Sequence, residues 1–303
     1  MTHRRAVALM VLCTLLWSIA GVVTRQLDAA RSFELTFWRS FFNAAALVIA
    51  LLAMRGAGLW QDIRRGGLAL WFSALCWAVM YTNFMVAITL TTVATVLITM
   101  AVAPLVTALF ARVFLHHRLP ARTWAAIGVA GLGIAWMFGR QALSGDASMT
   151  GALVALGVPI AAAANWTLLQ HLHARHAADP RIEEPQMLPA VLLGAVLSAA
   201  VTLPLALPFS ATPHDLGWLA LLGVVQLAIP CLIVVRLSRV LPAPEISLLG
   251  LIEVIFGVLL VWVGAGEAPG RDALLGGVLV LAALIGNEWW ALRSRTQAQR
   301  VLG

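Results

Sequence analysis

Apolar residues run along this chain in long unbroken blocks divided by short polar punctuation. Blocks such as Ala190–Leu207 and Leu216–Val235 are continuous rather than alternating. A helix crosses a bilayer with about 20 mostly apolar residues, whereas strands cross only as a closed barrel of alternating residues. The pattern therefore predicts an all-α membrane protein of ten transmembrane helices. These are helix 1 at 6–25, helix 2 at 34–54, helix 3 at 67–88, helix 4 at 91–114 and helix 5 at 122–139. Helix 6 follows at 150–172, helix 7 at 187–208, helix 8 at 215–238, helix 9 at 244–264 and helix 10 at 272–292. Asp179-Pro180, Glu184-Pro185, Pro213-His214-Asp215 and Pro269-Gly270 are turn signals between them. No connecting segment is long enough for a soluble domain. The opening His3-Arg4-Arg5 and the apolar run to about Val23 resemble a secretory signal, but the run exceeds the roughly 7–15-residue core of one. It is read as a retained first helix.

Composition agrees. The apolar set is 61% of 303 residues and charged residues only 11%, against roughly 25% in soluble domains. Mean hydropathy is +0.93. A water-soluble fold this poor in charge could not cover its surface. The net charge of +7 would suggest nucleic acid, yet the arginines are scattered in short clusters rather than gathered in one patch. They read instead as topology signals. With the N-terminus in the cytoplasm, Arg4, Arg5, Arg55, Arg64, Arg65, Arg112, Arg118, Arg122, Arg175, Arg181, Arg236, Arg239, Arg293, Arg295 and Arg300 fall inside. Only Arg25, Arg31, Arg140 and Arg271 fall outside, and Arg39 lies within helix 2. This positive-inside bias supports ten helices with both termini cytoplasmic. Cys13, Cys76 and Cys231 lie in apolar runs, so no disulfide and no metal site are expected.

A shift of 150 residues superposes the helices without a gap: Arg25 meets Arg175, Glu34 meets Glu184, Gly67 meets Gly217 and His117 meets Glu267. The chain divides into repeats 1–145 and 146–303. Five helices per half invert the second half relative to the first, as in secondary transporters whose site lies near mid-membrane between the halves.

Polar groups deep in a bilayer are costly and face a cavity or one another. Glu253 sits at the centre of helix 9, as a substrate or proton-coupling residue or else as a structural ion pair. Arg39 lies five residues into helix 2, about 7.5 Å at 1.5 Å per residue. Its stem either snorkels to the outer interface or turns to the cavity, to pair with Glu253 or an anionic substrate group. Gln226, Asn165 and Gln170 are candidate ligands, though such amides also cross-link helices. Pro230 is expected to kink helix 8. Trp17, Trp77, Tyr81 and Trp166 lie well inside their helices, away from the interfacial belts, and suit a cavity for a partly apolar or aromatic substrate or plain packing. Helices 5, 7 and 10 have almost no central polar groups, and helices 5 and 10 are glycine-rich, with Gly128, Gly131, Gly133, Gly276, Gly277 and Gly286. These three are expected at the periphery or in a contact between two copies of the chain. His171, His173 and His176, with His116 and His117, read as solvated interfacial histidines, since no carboxylate beside them completes a metal site. The chain has no His-Glu-x-x-His, no Gly-x-Ser-x-Gly and no Walker loop, so it is read as neither an enzyme nor an ATP-driven pump, and no cofactor is expected.

Several short motifs resemble the drug/metabolite transporter superfamily, in particular its EamA-type ten-helix bacterial members. They are Leu16-Trp17-Ser18 with Arg25, Arg39, Thr91-Thr92-Val93-Ala94, Ala103-Pro104-Leu105-Val106, Phe114-Leu115 and Arg118-Leu119. In the second half they are Leu251-Ile252-Glu253-Val254-Ile255-Phe256 and Gly266-Glu267. The chain departs from the family at His116-His117, where Gly-Glu is usual, and at Val254, where Pro is frequent. The resemblance covers essentially the whole chain. It implies an inverted 5+5 repeat, a central cavity built by helices 1–4 and 6–9, and peripheral helices 5 and 10. It also implies movement of small molecules, often outward. The resulting expectation is an exporter of small metabolites such as amino acids across the bacterial inner membrane by alternating access, with protons as candidate coupling ion through Glu253. An uncoupled facilitator and a non-transporting membrane scaffold or sensor stand beside it.

Overall fold

The computed structural model describes residues 2–29, 32–115, 148–179, 181, 185–272, 274–279 and 281–283, with 121, 124–126, 128–129, 132–133, 136 and 286. Among these residues the fold is all-helical. Eight helices are long and apolar enough to cross a membrane: His3–Thr24, Phe33–Arg55, Gly67–Leu90, Val93–Phe114, Met149–Ala178, Leu188–Ala206, Pro213–Leu237 and Glu245–Ala265. In order they match predicted helices 1–4 and 6–9, whose numbers they keep. Helix 5 and the latter part of helix 10 lie largely outside the described residues. The outer surface carries Ile49, Val201 and Val263, each well exposed, which is the coat of a bundle whose solvent is hydrocarbon.

Local chemistry sets the ends. The Thr212 side chain accepts from the Asp215 backbone N–H and the Asp215 carboxylate accepts from that of Thr212, a reciprocal cap for helix 8 with Pro213 in its first turn. Thr92 caps helix 4 by accepting from the Thr95 N–H at 3.2 Å. Gly266, at φ 67°, ends helix 9 in the left-handed conformation that glycine adopts at no steric cost. A short helix, Gly58–Arg65, precedes helix 3 and escapes the hydropathy pattern because one face, with Gln61, Arg64 and Arg65, is exposed while Leu59 is buried.

The two halves interleave. Helix 3 packs against helices 6 and 7, helix 2 against helices 7 and 8, and helix 1 against helices 8 and 9. Hydrogen bonds between helices cross-link them, as is common where packing has no hydrophobic driving force against lipid. The Ser198 hydroxyl of helix 7 lies 2.9 Å from Ser40 and 2.8 Å from Thr82. Ser73 donates to the Asn165 carbonyl oxygen at 2.6 Å, joining helices 3 and 6. Helix 7 presents this face to helices 2 and 3 and leaves Val196 and Val201 exposed on the other.

The bundle ends alternate. At one end Arg25 pairs with Glu267, Glu34 accepts from the Ser210 and Ala211 N–H groups, and Asp215 accepts from the N–H groups of Asp28 and Ala29. This is the Thr24 end. At the other, the His3 end, His3 pairs with Glu245 at 2.9 Å and His173 meets Ser238.

Several helices are not continuous. Helix 1 breaks at Ile19, helix 4 between Met100 and Ala103, and helix 9 at Gly250. Helix 8 widens to a π-helix over Leu222–Ala228. Pro230 lacks an N–H and crowds the carbonyl of Gln226 four residues earlier, and the wider turn accommodates the unmet bond. The simple kink expected at Pro230 is thus a π segment placed before it.

Candidate functional site

The breaks surround one space. A cavity of ≈ 140 Å³ is lined from helices 1, 2, 3, 4, 6, 8 and 9. One water needs roughly 10–15 Å³ by the same measure, so a small organic solute fits. Non-helical backbone at membrane depth is tolerated where it lines a cavity. Met100 and Ala103 flank the helix 4 break, Gly250 marks the helix 9 break, and all three line this space.

Of the residues singled out from sequence, Trp17, Arg39, Trp77, Tyr81, Trp166, Gln226 and Glu253 line the cavity, whereas Asn165 and Gln170 do not. Asn165 is fully buried between helices 3 and 6, its oxygen accepting from Ser73. Gln170 is half-buried one turn further along helix 6, its side-chain oxygen without a partner.

Arg39 turns inward. It is 2% exposed, its guanidinium carbon lies 5.3 Å from the centroid of the Phe84 ring, and its Nε and Nη1 have no hydrogen-bond partner. The snorkelling alternative therefore does not describe it. The Tyr81 hydroxyl and the Trp77 indole N–H are likewise buried without partners. Trp77 packs edge-on to Trp166, centroids 5.6 Å apart, and tilts against Tyr81 at the same separation. Gln226 donates to the Trp17 carbonyl at 3.4 Å, leaving its own oxygen unpaired.

Glu253 occupies a position the sequence pattern hid. Because helix 9 restarts after Gly250, this residue stands in the first turn of Leu251–Ala265 rather than mid-helix. The half-charge of a helix N-terminus favours an anion there, while the N–H groups of Gly250 and Glu253 bond to the Ile246 and Gly250 carbonyls. Its carboxylate makes no ion pair within 4.0 Å and no side-chain hydrogen bond among the described residues, although Arg39 is within electrostatic reach. The cavity thus holds one basic side chain from the first half and one acidic side chain from the second, neither bonded directly to the other.

Sequence reasoning missed other lining residues: Met10, Met80, Phe84, Pro159, Cys231 and Ser247. Pro159 carried a usable signal, as a proline inside an apolar run. Asn43 was missed as well. It is fully buried with neither amide atom paired, four residues and one turn from Arg39.

Asp28, His214 and Asp215 bring three ligand-type side chains within 4.8 Å at the Thr24 end. Both Asp215 oxygens already accept backbone N–H groups, at 2.9 Å from Asp28, 3.2 Å from Ala29 and 3.1 Å from Thr212. The group is a helix cap rather than a cation cage. His171 is exposed at the His3 end of helix 6, while His116 and His117 lie outside the described residues.

No curated protein matches the chain. Among solved structures, one crystal structure of a protein superposes with a TM-score of 0.66 at 18% identity, covering 96% of this chain and 99% of that one, which establishes a shared fold. The model of the EamA-like transporter family matches residues 4–139 and again 149–287. Two matched stretches in succession, over a helical membrane bundle with one central cavity, place this chain in the EamA-like transporter family, whose members are membrane transporters of small solutes.

Proposed function

We propose that the protein exports small metabolites, amino acids among them, across the bacterial inner membrane by alternating access, with protons as the coupling ion. In this reading the repeats are 1–145 and 146–303, ten helices cross the membrane, both termini are cytoplasmic, and no covalent chemistry is catalysed. The observation that carries the proposal is the pairing of Arg39 and Glu253 at one largely apolar cavity, opposite charges from opposite halves without a direct partner. A zwitterionic solute would satisfy both, its carboxylate on Arg39 and its ammonium on Glu253. Tyr81 and Trp77 offer further donors to the carboxylate, and Gln226 an acceptor to the ammonium. Trp17, Trp77, Tyr81 and Trp166 would enclose the apolar part. Among the described residues Glu253 is the one carboxylate lining the cavity, which makes it the coupling candidate. Rocking of one repeat against the other would then expose the cavity to each side in turn.

The test is uptake of a labelled amino-acid and metabolite panel into everted membrane vesicles, with and without an uncoupler. Uptake that collapses with the proton gradient is expected. Uptake indifferent to the uncoupler would replace coupled export by facilitation, and no uptake across the panel would count against amino acids as cargo.

A further inference from the structure

Along helix 9 the cavity lies toward the His3 end. Its lining reaches Ile246 and Ser247, at the beginning of helix 9 near the His3 end. Toward the Thr24 end it stops at Trp17 in helix 1, Met100 in helix 4 and Val254 in helix 9. The last two or three turns of those helices are packed solid. Gly21 lies between Val93 and Val261, so close that an added Cβ would stand 2.6 Å from each side chain. Gly257 abuts Leu97 and Gly264 abuts Val22 in the same way, at 2.5 and 2.7 Å. Three helices, two from the first half and one from the second, thus close against one another at the Thr24 end through side chains seated on glycines.

One residue ties this packing together. Gly266 ends helix 9 and reverses the chain, and Glu267 follows it. One carboxylate oxygen of Glu267 accepts from Arg25 Nε at 2.7 Å, and the other accepts from the Val93 backbone N–H at 2.8 Å. Arg25 stands at the end of helix 1 and Val93 begins helix 4, so a single carboxylate from the second half clasps two first-half helices there. The contact is only part exposed, at 33% and 20% for the two side chains.

At the opposite end the repeat shift brings different residues together. Under the 150-residue repeat shift Arg25 corresponds to Arg175, and Glu267 to His117, which lies outside the described residues. Arg175 is exposed and makes no ion pair among the described residues. The His3–Glu245 pair at that end leaves His3 60% exposed.

We infer that Glu267 is a gating residue, whose bonds to Arg25 and to the Val93 N–H latch the Thr24 end of the cavity closed and must release for solute to pass there. The inference rests on the alternating-access reading above.

The test uses the full-length protein in sealed vesicles of each orientation, with Cys13 and Cys76 replaced by alanine so that the cavity-lining Cys231 is the sole thiol. A membrane-impermeant maleimide is added to one side at a time. The parent is expected to label more slowly from the Thr24 side than from the His3 side. Glu267→Gln keeps an acceptor for the Val93 N–H but loses the charge, and labelling from the Thr24 side should rise about three-fold, the scale of a part-exposed ion pair. Arg25→Gln should do the same, and the double variant no more than either single one. An unchanged rate from the Thr24 side in folded Glu267→Gln, or additive effects in the double variant, would overturn the latch. Separately, Arg25→Cys with Glu267→Cys in a background lacking the native cysteines should lose transport on bridging with a short bifunctional maleimide. Full transport in the bridged protein would also overturn the latch. Labelling needs no transported solute, so a panel without cargo leaves that result standing and counts against the transport reading alone.

Discussion

Helix 8 crosses helix 2 at Gly223, and the crossing sets where Arg39 stands. A Cβ built on Gly223 would lie 2.6 Å from Phe42 Cβ, 2.7 Å from the Arg39 carbonyl oxygen and 2.8 Å from the Asn43 nitrogen. Two of those atoms are backbone, so no rotamer change relieves them. The oxygen is about 0.7 Å inside ordinary contact at 3.4 Å, and the two helices must part by about that much. Overpacking on this scale costs about 1–3 kcal/mol. Alanine also gains up to about 1 kcal/mol of helix propensity over glycine, which blurs a comparison with the parent. Gly217 removes that ambiguity. It lies in the same helix with nothing within 4 Å of its built Cβ, so Gly217→Ala carries a propensity gain without the clash. Thermal unfolding in detergent should therefore place Gly223→Ala at least about 3 °C below Gly217→Ala, at the roughly 2–4 °C per kcal/mol of larger domains. Transport by Gly223→Ala should fall further than its folded amount, because Arg39 moves with helix 2. Equal melting temperatures for the two variants would refute the close crossing, and unimpaired transport by Gly223→Ala would refute its link to Arg39.

Three further outcomes follow from the site. Glu253→Gln exchanges a charge-assisted hydrogen bond for a neutral one, a loss of about 1–1.5 kcal/mol. Apparent affinity for an ammonium-bearing solute should drop about 5- to 10-fold and gradient-driven accumulation should vanish, whereas parental uptake by folded protein would dismiss Glu253. Arg39→Lys replaces a planar fork by a point charge. Competition assays should show about ten-fold weaker binding of carboxylate-bearing solutes and little change for solutes without an acid group; an equal loss for both would argue that Arg39 only supports the fold. Asp215→Ala strands three backbone N–H groups and should destabilise the protein by about 2–4 kcal/mol, read as a lower melting temperature, while EDTA should leave the parent's melting temperature unchanged if the residue caps rather than binds a cation.

The course of the eight described spans was legible because bilayer thickness dictates block length, and continuous apolar blocks have few other homes. Helix 6 ran longer than expected, to Ala178, because its last turns carry His173 and Arg175 beyond the hydrocarbon and hydropathy stops there. The Gly58–Arg65 helix was invisible to the same signal, being half polar. Within the site, the inward aromatics and central charges stood out against an apolar background, so Trp17, Arg39, Trp77, Tyr81 and Glu253 could be named beforehand. Asn165 was named too but faces Ser73 instead of the cavity, since a mid-helix amide looks alike whether it cross-links helices or meets a ligand. The methionines lining the cavity could not be told from any other apolar residue.

The hidden feature was the breaks, and they explain the site better than the residues do. Met100 and Gly250 correspond under the 150-residue shift, and helices 4 and 9 break at these equivalent places in the two halves. Neither block betrays this in hydropathy, because the residues at the breaks, Ala101, Val102 and Gly250, do not interrupt an apolar run. Yet a continuous helix 9 would bury Glu253 mid-span with no free N–H nearby, at a cost of several kcal/mol for an unpaired charge. The break places the carboxylate in the first turn of a new helix, whose N-terminal dipole favours negative charge, and leaves its oxygens without a hydrogen-bond partner among the described residues. In the first half, the corresponding restart carries Ala103 and Pro104 instead of an acid, and the first half's charge comes from Arg39 on helix 2. The repeat therefore duplicates the backbone device but not its chemistry. That difference leaves the cavity with a basic side chain from the first half and an acidic one from the second.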